Sequence, residues 1–156
     1  MNFKLINEFD DELYFTLEEF FKKSKPVSFC SHSSPSIRNK KIKDYLKFLE
    51  KAETKYLIES NSKEQIFISF EKMNDHIKVF FGVNISVPHK DVDRVLNEFY
   101  SFLFQQNPEC KYIYSGITRK FKLQKYLSWI KRYVKSCKLV FDNDKITVYW
   151  YKQHVE

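Results

Sequence analysis

The sequence predicts one α/β (α+β) domain over residues 1–156, a mixed central sheet of about seven strands with four helices. Three observations carry this. Apolar residues alternate in short runs, as in Ile66, Ile68 and Phe70, or Ile77, Val79, Phe81, Val83 and Ile85, the period of a strand with one buried face. Other segments repeat at helical spacing, as in Val92, Val95, Leu96, Phe99 and Leu103, which gives one apolar stripe. The chain has 156 residues and is 43% hydrophobic, with no repeat and no linker-like stretch to divide it. That is enough for one sizeable core.

The elements follow in the order β-α-α-β-β-β-α-β-α-β-β. "FKLINEF" (3–9) reads as a first strand. Asp10 or Asp11 then caps a helix carrying Leu13, Leu17, Phe20 and Phe21, because a carboxylate accepts from the free N–H groups of a first turn. "SKPVSFCSHSSPS" (24–36) is a loop with two prolines and a serine cluster. A second helix starts near Pro35 and turns Ile42, Tyr45, Leu46 and Leu49 inward. "KYLIES", "QIFISFE" and "HIKVFFGVNIS" are strands separated by the turns "NSKE" and "KMND". A third helix runs from about Lys90 to Gln106 and stops before Pro108, since a residue preceding proline disfavours helix. "KYIYSGI" (111–117) is a strand. A fourth helix follows, with Leu123, Leu127, Ile130 and Val134 inward. "CKLVF" and "KITVYWY" close the chain as a hairpin around "DNDK". The expected core includes Leu96, Phe99, Leu103, Leu127 and Ile130, with Val79, Phe81 and Val83 buried on the sheet.

Charge is uneven. The net charge is +7, with no Asp or Glu from Cys110 to Phe141 or from Phe20 to Lys43. Arg119, Lys120, Lys122, Lys125, Trp129 and Arg132 form the candidate partner surface on the predicted fourth helix. Such a face attracts an acidic protein or nucleic acid, or is simply solvated. Alternating aromatics in "TVYWYKQ", with Tyr112 and Tyr114, suit a packed strand face or base stacking. No apolar run reaches the roughly 20 residues that span a bilayer, and the N-terminal segment lacks a signal-peptide core. A cytoplasmic protein, or one packaged into a virion from the cytoplasm, is expected.

Few motifs carry chemistry. Cys30, Cys110 and Cys137 show no CxxC spacing, which argues against a disulfide framework and against a metal site. Cys30 with His32 has no second close pair. Neither Gly82 nor Gly116 belongs to a phosphate-loop pattern. His76 is a candidate base by residue type alone.

The element order and lengths resemble the GNAT superfamily of N-acetyltransferases over about residues 2–152. That resemblance implies an Arg/Gln-x-x-Gly-x-Gly/Ala loop between the fourth strand and third helix, binding the diphosphate of acetyl-CoA through backbone N–H groups and the helix N-terminus. The matching loop here is Ser86, Val87, Pro88, His89, Lys90 and Asp91. It has no glycine, Pro88 lacks an N–H, and Asp91 and Asp93 place negative charge in the first turn, where they can also cap it. His89 and Lys90 are the available positive groups. The family's helix tyrosine falls near Trp129 or Ile130, between Tyr126 and Tyr133. Its strand carboxylate has no counterpart, since the nearest are Glu71 and Asp75.

These departures point to a non-catalytic, GNAT-like interaction protein with no catalytic residues and no cofactor. Its small size and scarcity of glycine also resemble GNAT-like proteins of short-tailed bacteriophages, which implies a virion role beside acidic protein or DNA. The alternatives are a divergent acyl-CoA-dependent N-acyltransferase, with acetyl-CoA as cofactor, and a nonspecific nucleic-acid-binding module.

Overall fold

The computed structural model describes residues 1–23, 34–61, 63–117, 128, 131–133, 135–142 and 145–155. Its elements are β1 (Asn2–Leu5), α1 (Asp11–Lys23), α2 (Pro35–Glu50), β2 (Thr54–Glu59), β3 (Gln65–Lys72), β4 (His76–Asn84), α3 (His89–Gln106), β5 (Tyr112–Ile117), β6 (Lys138–Asp142), β7 (Lys145–Tyr151) and a short α4 (Lys152–Val155). Seven strands form one sheet in the order β1-β2-β3-β4-β5-β7-β6. Every neighbouring pair is antiparallel except β4 and β5.

Local chemistry explains the ends. Asp10 accepts from the Leu13 N–H at 2.7 Å, so the first of the two expected carboxylates caps α1. At the other end of α2, Lys55 is 4% exposed. Its ammonium donates to the carbonyls of Glu50 and Ala52. A cation there satisfies free carbonyls and meets the negative end of the helix dipole. In the strand pattern this lysine reads as a polar edge residue, and its burial comes from the helix beside it.

The sheet separates two cores. On one side α3 packs Val92, Val95, Phe99, Tyr100, Leu103 and Phe104 against Ile66, Ile68, Phe70, Ile77, Ile113 and Val148. On the other, Leu13, Leu17 and Phe21 of α1 and Ile42, Leu46 and Leu49 of α2 cover Leu57, Phe67 and Val83. Leu96 is only half-buried at the rim of the α3 core. Leu127 and Ile130 lie outside the described residues, as does most of the expected fourth helix. Ser128 and 131–133 are helical.

One strand departs from its expected pattern. Ile77, Val79, Phe81, Val83 and Ile85 were expected on one face. Instead Ile77 and Val79 face α3, while Phe81, Val83 and Ile85 face α1 and α2. The cause is a bulge. Ser69 pairs with Phe81 and Phe70 with Val79, which leaves Phe80 as an extra residue in β4. One extra residue exchanges the faces of everything beyond it. Val83 is buried, and Val79 and Phe81 are half-buried.

Candidate functional site

The bulged strand also opens the sheet. β4 and β5 pair in parallel only at His76 with Tyr112, Ile77 with Ile113 and Lys78 with Tyr114. Beyond Lys78, β4 continues to Asn84 and β5 to Ile117 with no ladder between them among the described residues. The two strands therefore diverge toward the end at which β4 enters α3. Along this stretch β4 remains paired with β3 through Asn84, and β5 with β7 through Ile117. Each thus presents one backbone edge to the opening. Gly82 lies on that stretch. A Cβ there would meet only Ile68 Cγ1, at 3.9 Å.

The loop that closes the narrow turn into α3 is held by its own neighbours. Asn84 Oδ1 accepts from the Val87 N–H, and its Nδ2 donates to the Val87 carbonyl, each at 2.8 Å. The Ile85 and Ser86 N–H groups both donate to the Gln65 carbonyl, at 3.0 and 3.1 Å. Ser86 Oγ accepts from the Gln65 N–H and donates to the Lys63 carbonyl. Three consecutive backbone donors are thus occupied before the helix begins, and Pro88 has none. Pro88 occupies the N-cap position, with no side-chain cap. The Ile85, Ser86 and Val87 N–H groups are therefore already paired, where a glycine-rich loop leaves its N–H groups free for a diphosphate.

Asp93 does not serve α3 as a cap. Its Oδ1 accepts from the N–H groups of Lys135 and Ser136 and from Ser136 Oγ, at 3.0, 3.2 and 2.8 Å. It braces the start of α3 against the chain that leads into β6, and the expected cap is corrected accordingly. Asp91 stays in the first turn, and its N–H donates to the Pro88 carbonyl. His89 and Lys90 are exposed at the helix N-terminus. The His89 ring meets the edge of Tyr133 at 5.3 Å, and the Arg132 guanidinium lies 5.5 Å from the centre of that same ring. A tyrosine on the segment before β6 thus stands beside the N-terminal end of α3, although its spacing in sequence fits the family position poorly.

Arg119, Lys120, Lys122, Lys125 and Trp129 lie outside the described residues, as do Tyr126, Cys30 and His32. Arg132 is exposed. His76 opens β4 and so lies at the far end of that strand from the loop, about 26 Å away at 3.3 Å per residue. Its Nδ1 is 2.8 Å from Asp75 Oδ1, and that contact holds the Asp75 carboxyl below its usual range. Cys110 is buried and Cys137 partly so. Burial pushes the Cys137 thiol up to about 11, the opposite of an activated nucleophile. Among the described residues no His, Cys, Asp and Glu cluster suits a metal, and no helix is long and apolar enough to cross a membrane.

Solved structures share this fold over nearly their full length. The chain resembles the N-acetyltransferase PseH of Campylobacter jejuni, solved with acetyl coenzyme A, with a TM-score of 0.56 at 13% identity, covering 97% of this chain and 99% of that one. The fold is that of the GNAT N-acetyltransferases. A chimeric spermidine N-acetyltransferase built from Vibrio cholerae SpeG gives a TM-score of 0.57 at 11% identity over 99% of both chains. An aminoglycoside N(6')acetyltransferase from Legionella pneumophila gives 0.55 at 10% identity, over 99% of this chain and 96% of that one. Neither a family model nor a curated protein sequence matches the chain. The likeness is therefore one of fold, carried at 10–13% identity.

Proposed function

We propose that the chain is a divergent acyl-CoA-dependent N-acyltransferase that holds its donor mainly by the amide-bearing arm. The observation that carries this reading is the opening between β4 and β5 beyond Lys78. An extended arm bearing amides suits strand edges whose N–H and C=O groups face an opening. The likeness to solved N-acetyltransferases over nearly the whole chain supports the same reading. When bound, the donor supplies an activated acyl group. The chain's own share is positional. The Lys90 ammonium offers positive charge to the donor's phosphates, and the His89 ring an N–H donor, in place of the occupied loop N–H groups. Tyr133, beside His89, is the described phenol best placed to give a proton to a leaving thiolate.

The test is calorimetric titration with acetyl-CoA and with acetyl-pantetheine, followed by acyl-transfer assays on primary amines. If the arm dominates, truncating the nucleotide weakens binding by less than about tenfold, or about 1.4 kcal/mol. Binding of neither donor would overturn the reading.

A second reading is favoured by the loop itself. With the Ile85, Ser86 and Val87 N–H groups occupied, the fold suits a non-catalytic interaction protein, such as a bacteriophage virion component. Its partner would meet the basic surface around Lys122, Lys125 and Arg132. Charge reversal at those three positions would then abolish partner binding, while acetyl-CoA would leave the titration flat.

A further inference from the structure

The side of the sheet that carries α1 and α2 changes character at β5. Under the helices it is built from Leu57, Phe67, Phe81 and Val83. Past them it is built from tyrosine. In β5 and β7, Tyr112 pairs with Tyr151 and Tyr114 with Tyr149, while the alternate residues Ile113, Val148 and Trp150 enter the core on the opposite side. The four rings form one block, with Tyr112 and Tyr149 at 5.7 Å, Tyr114 and Tyr149 at 6.1 Å, and Tyr149 and Tyr151 at 5.8 Å. His76 extends it from β4, lying parallel to Tyr112 at 4.9 Å. All five side chains are half-buried rather than enclosed.

Lysines bound the block on both sides. Lys78, Tyr114, Tyr149 and Lys138 are successive register partners across β4, β5, β7 and β6. They form a single row about 14 Å long at about 4.8 Å per strand. Both lysines are exposed. The described carboxylates beside it include Asp75, in contact with His76, and half-buried Glu71, the register partner of Lys78 in β3. Among the described residues no helix packs on this block, since α3, α4 and Tyr133 belong to the core on the other side.

The geometry points to this tyrosine face as a binding surface for single-stranded nucleic acid, with bases stacked on Tyr114 and Tyr149 and phosphates beside Lys78 and Lys138. A row of cation, ring, ring and cation matches the alternating chemistry of an unpaired strand. Stacking on open rings tolerates any base. A duplex keeps its bases in its own stack, and a flat sheet face does not enter its grooves. The β4–β5 opening begins one residue beyond the Lys78–Tyr114 rung and runs away from the row.

The test is fluorescence anisotropy of a labelled 12-residue oligothymidylate and of a duplex of equal length, with circular dichroism to establish folding. The single strand is expected to bind better than the duplex. Neutralising about two phosphates gives a shallow salt slope, about −1.4 in log K against log salt. The Tyr114→Ala, Tyr149→Ala pair should weaken binding by at least about tenfold, and the Tyr114→Phe, Tyr149→Phe pair should retain it. Equal binding by the alanine pair would overturn the proposal, as would equal affinity for the duplex. Failure of the oligonucleotide to bind at all would overturn it too, whether or not sedimentation shows a dimer that the alanine pair disrupts.

Discussion

Asn84 grips Val87 from both directions, accepting its N–H and donating to its carbonyl, each at 2.8 Å. This pair sets the shape of the loop between β4 and α3, and it removes one of the donors that a phosphate would need. Asn84→Ala should lower stability by about 1–3 kcal/mol, the cost of leaving partly buried polar groups without partners. The denaturant midpoint reads this directly. An unchanged midpoint would mean that solvent replaces both bonds without loss.

Phe99 is fully buried on the inner stripe of α3, with its ring against Phe3 at 5.2 Å and Tyr56 at 5.4 Å. Phe99→Ala should cost about 3–5 kcal/mol through lost contacts and the cavity left behind. Thermal or urea unfolding measures it, and a loss under about 1 kcal/mol would place this ring outside the cooperative core.

Asp93 receives two backbone N–H groups and one hydroxyl from Lys135 and Ser136. Asp93→Ala should therefore loosen the joint between α3 and the chain entering β6. Amide exchange at Lys135 and Ser136 should accelerate in the alanine variant and less so in Asp93→Asn, which keeps an acceptor oxygen. Equal acceleration in both would assign the effect to charge rather than to hydrogen bonding.

Burial holds the Cys137 thiol protonated to about 11, against an ordinary value of 9.0. The folded chain keeps this proton more tightly than the unfolded chain. The stability from this group is therefore complete below pH 9 and is lost as pH rises toward 11. Alkylation of Cys137 by iodoacetamide, followed by mass spectrometry, should stay slow through pH 9 and accelerate above it. Rapid labelling at pH 7 would contradict this burial.

Much of the fold is legible in the sequence because most of its elements have a clean period. The α3 stripe, the Ile66, Ile68 and Phe70 face and the Asp10 cap all follow from spacing and side-chain chemistry. The Phe80 bulge does not, because Val79, Phe80 and Phe81 are consecutive apolar residues and read the same in either register. The burial of Lys55 depends on where α2 ends in space. The site was half legible. The absent glycines and Pro88 are plain in the sequence, yet it does not show that Gln65 and Asn84 occupy the loop's N–H groups. Nor does it show that β4 and β5 part after Lys78. The alternation in "TVYWYKQ" marks a strand, and only the pairing with β5 shows that Trp150 enters the core while the tyrosines stand together on the other face.

The central claim is that an acyl donor lies along the opened strands and not in the loop. The most direct measurement is amide NMR of the isotope-labelled protein titrated with acetyl-CoA. Shifts should concentrate at Val79 to Asn84 and at Ser115 to Ile117, with the amides of Ile85, Ser86 and Val87 nearly still. Shifts centred on those three loop amides, or no shift at saturating ligand, would contradict the account.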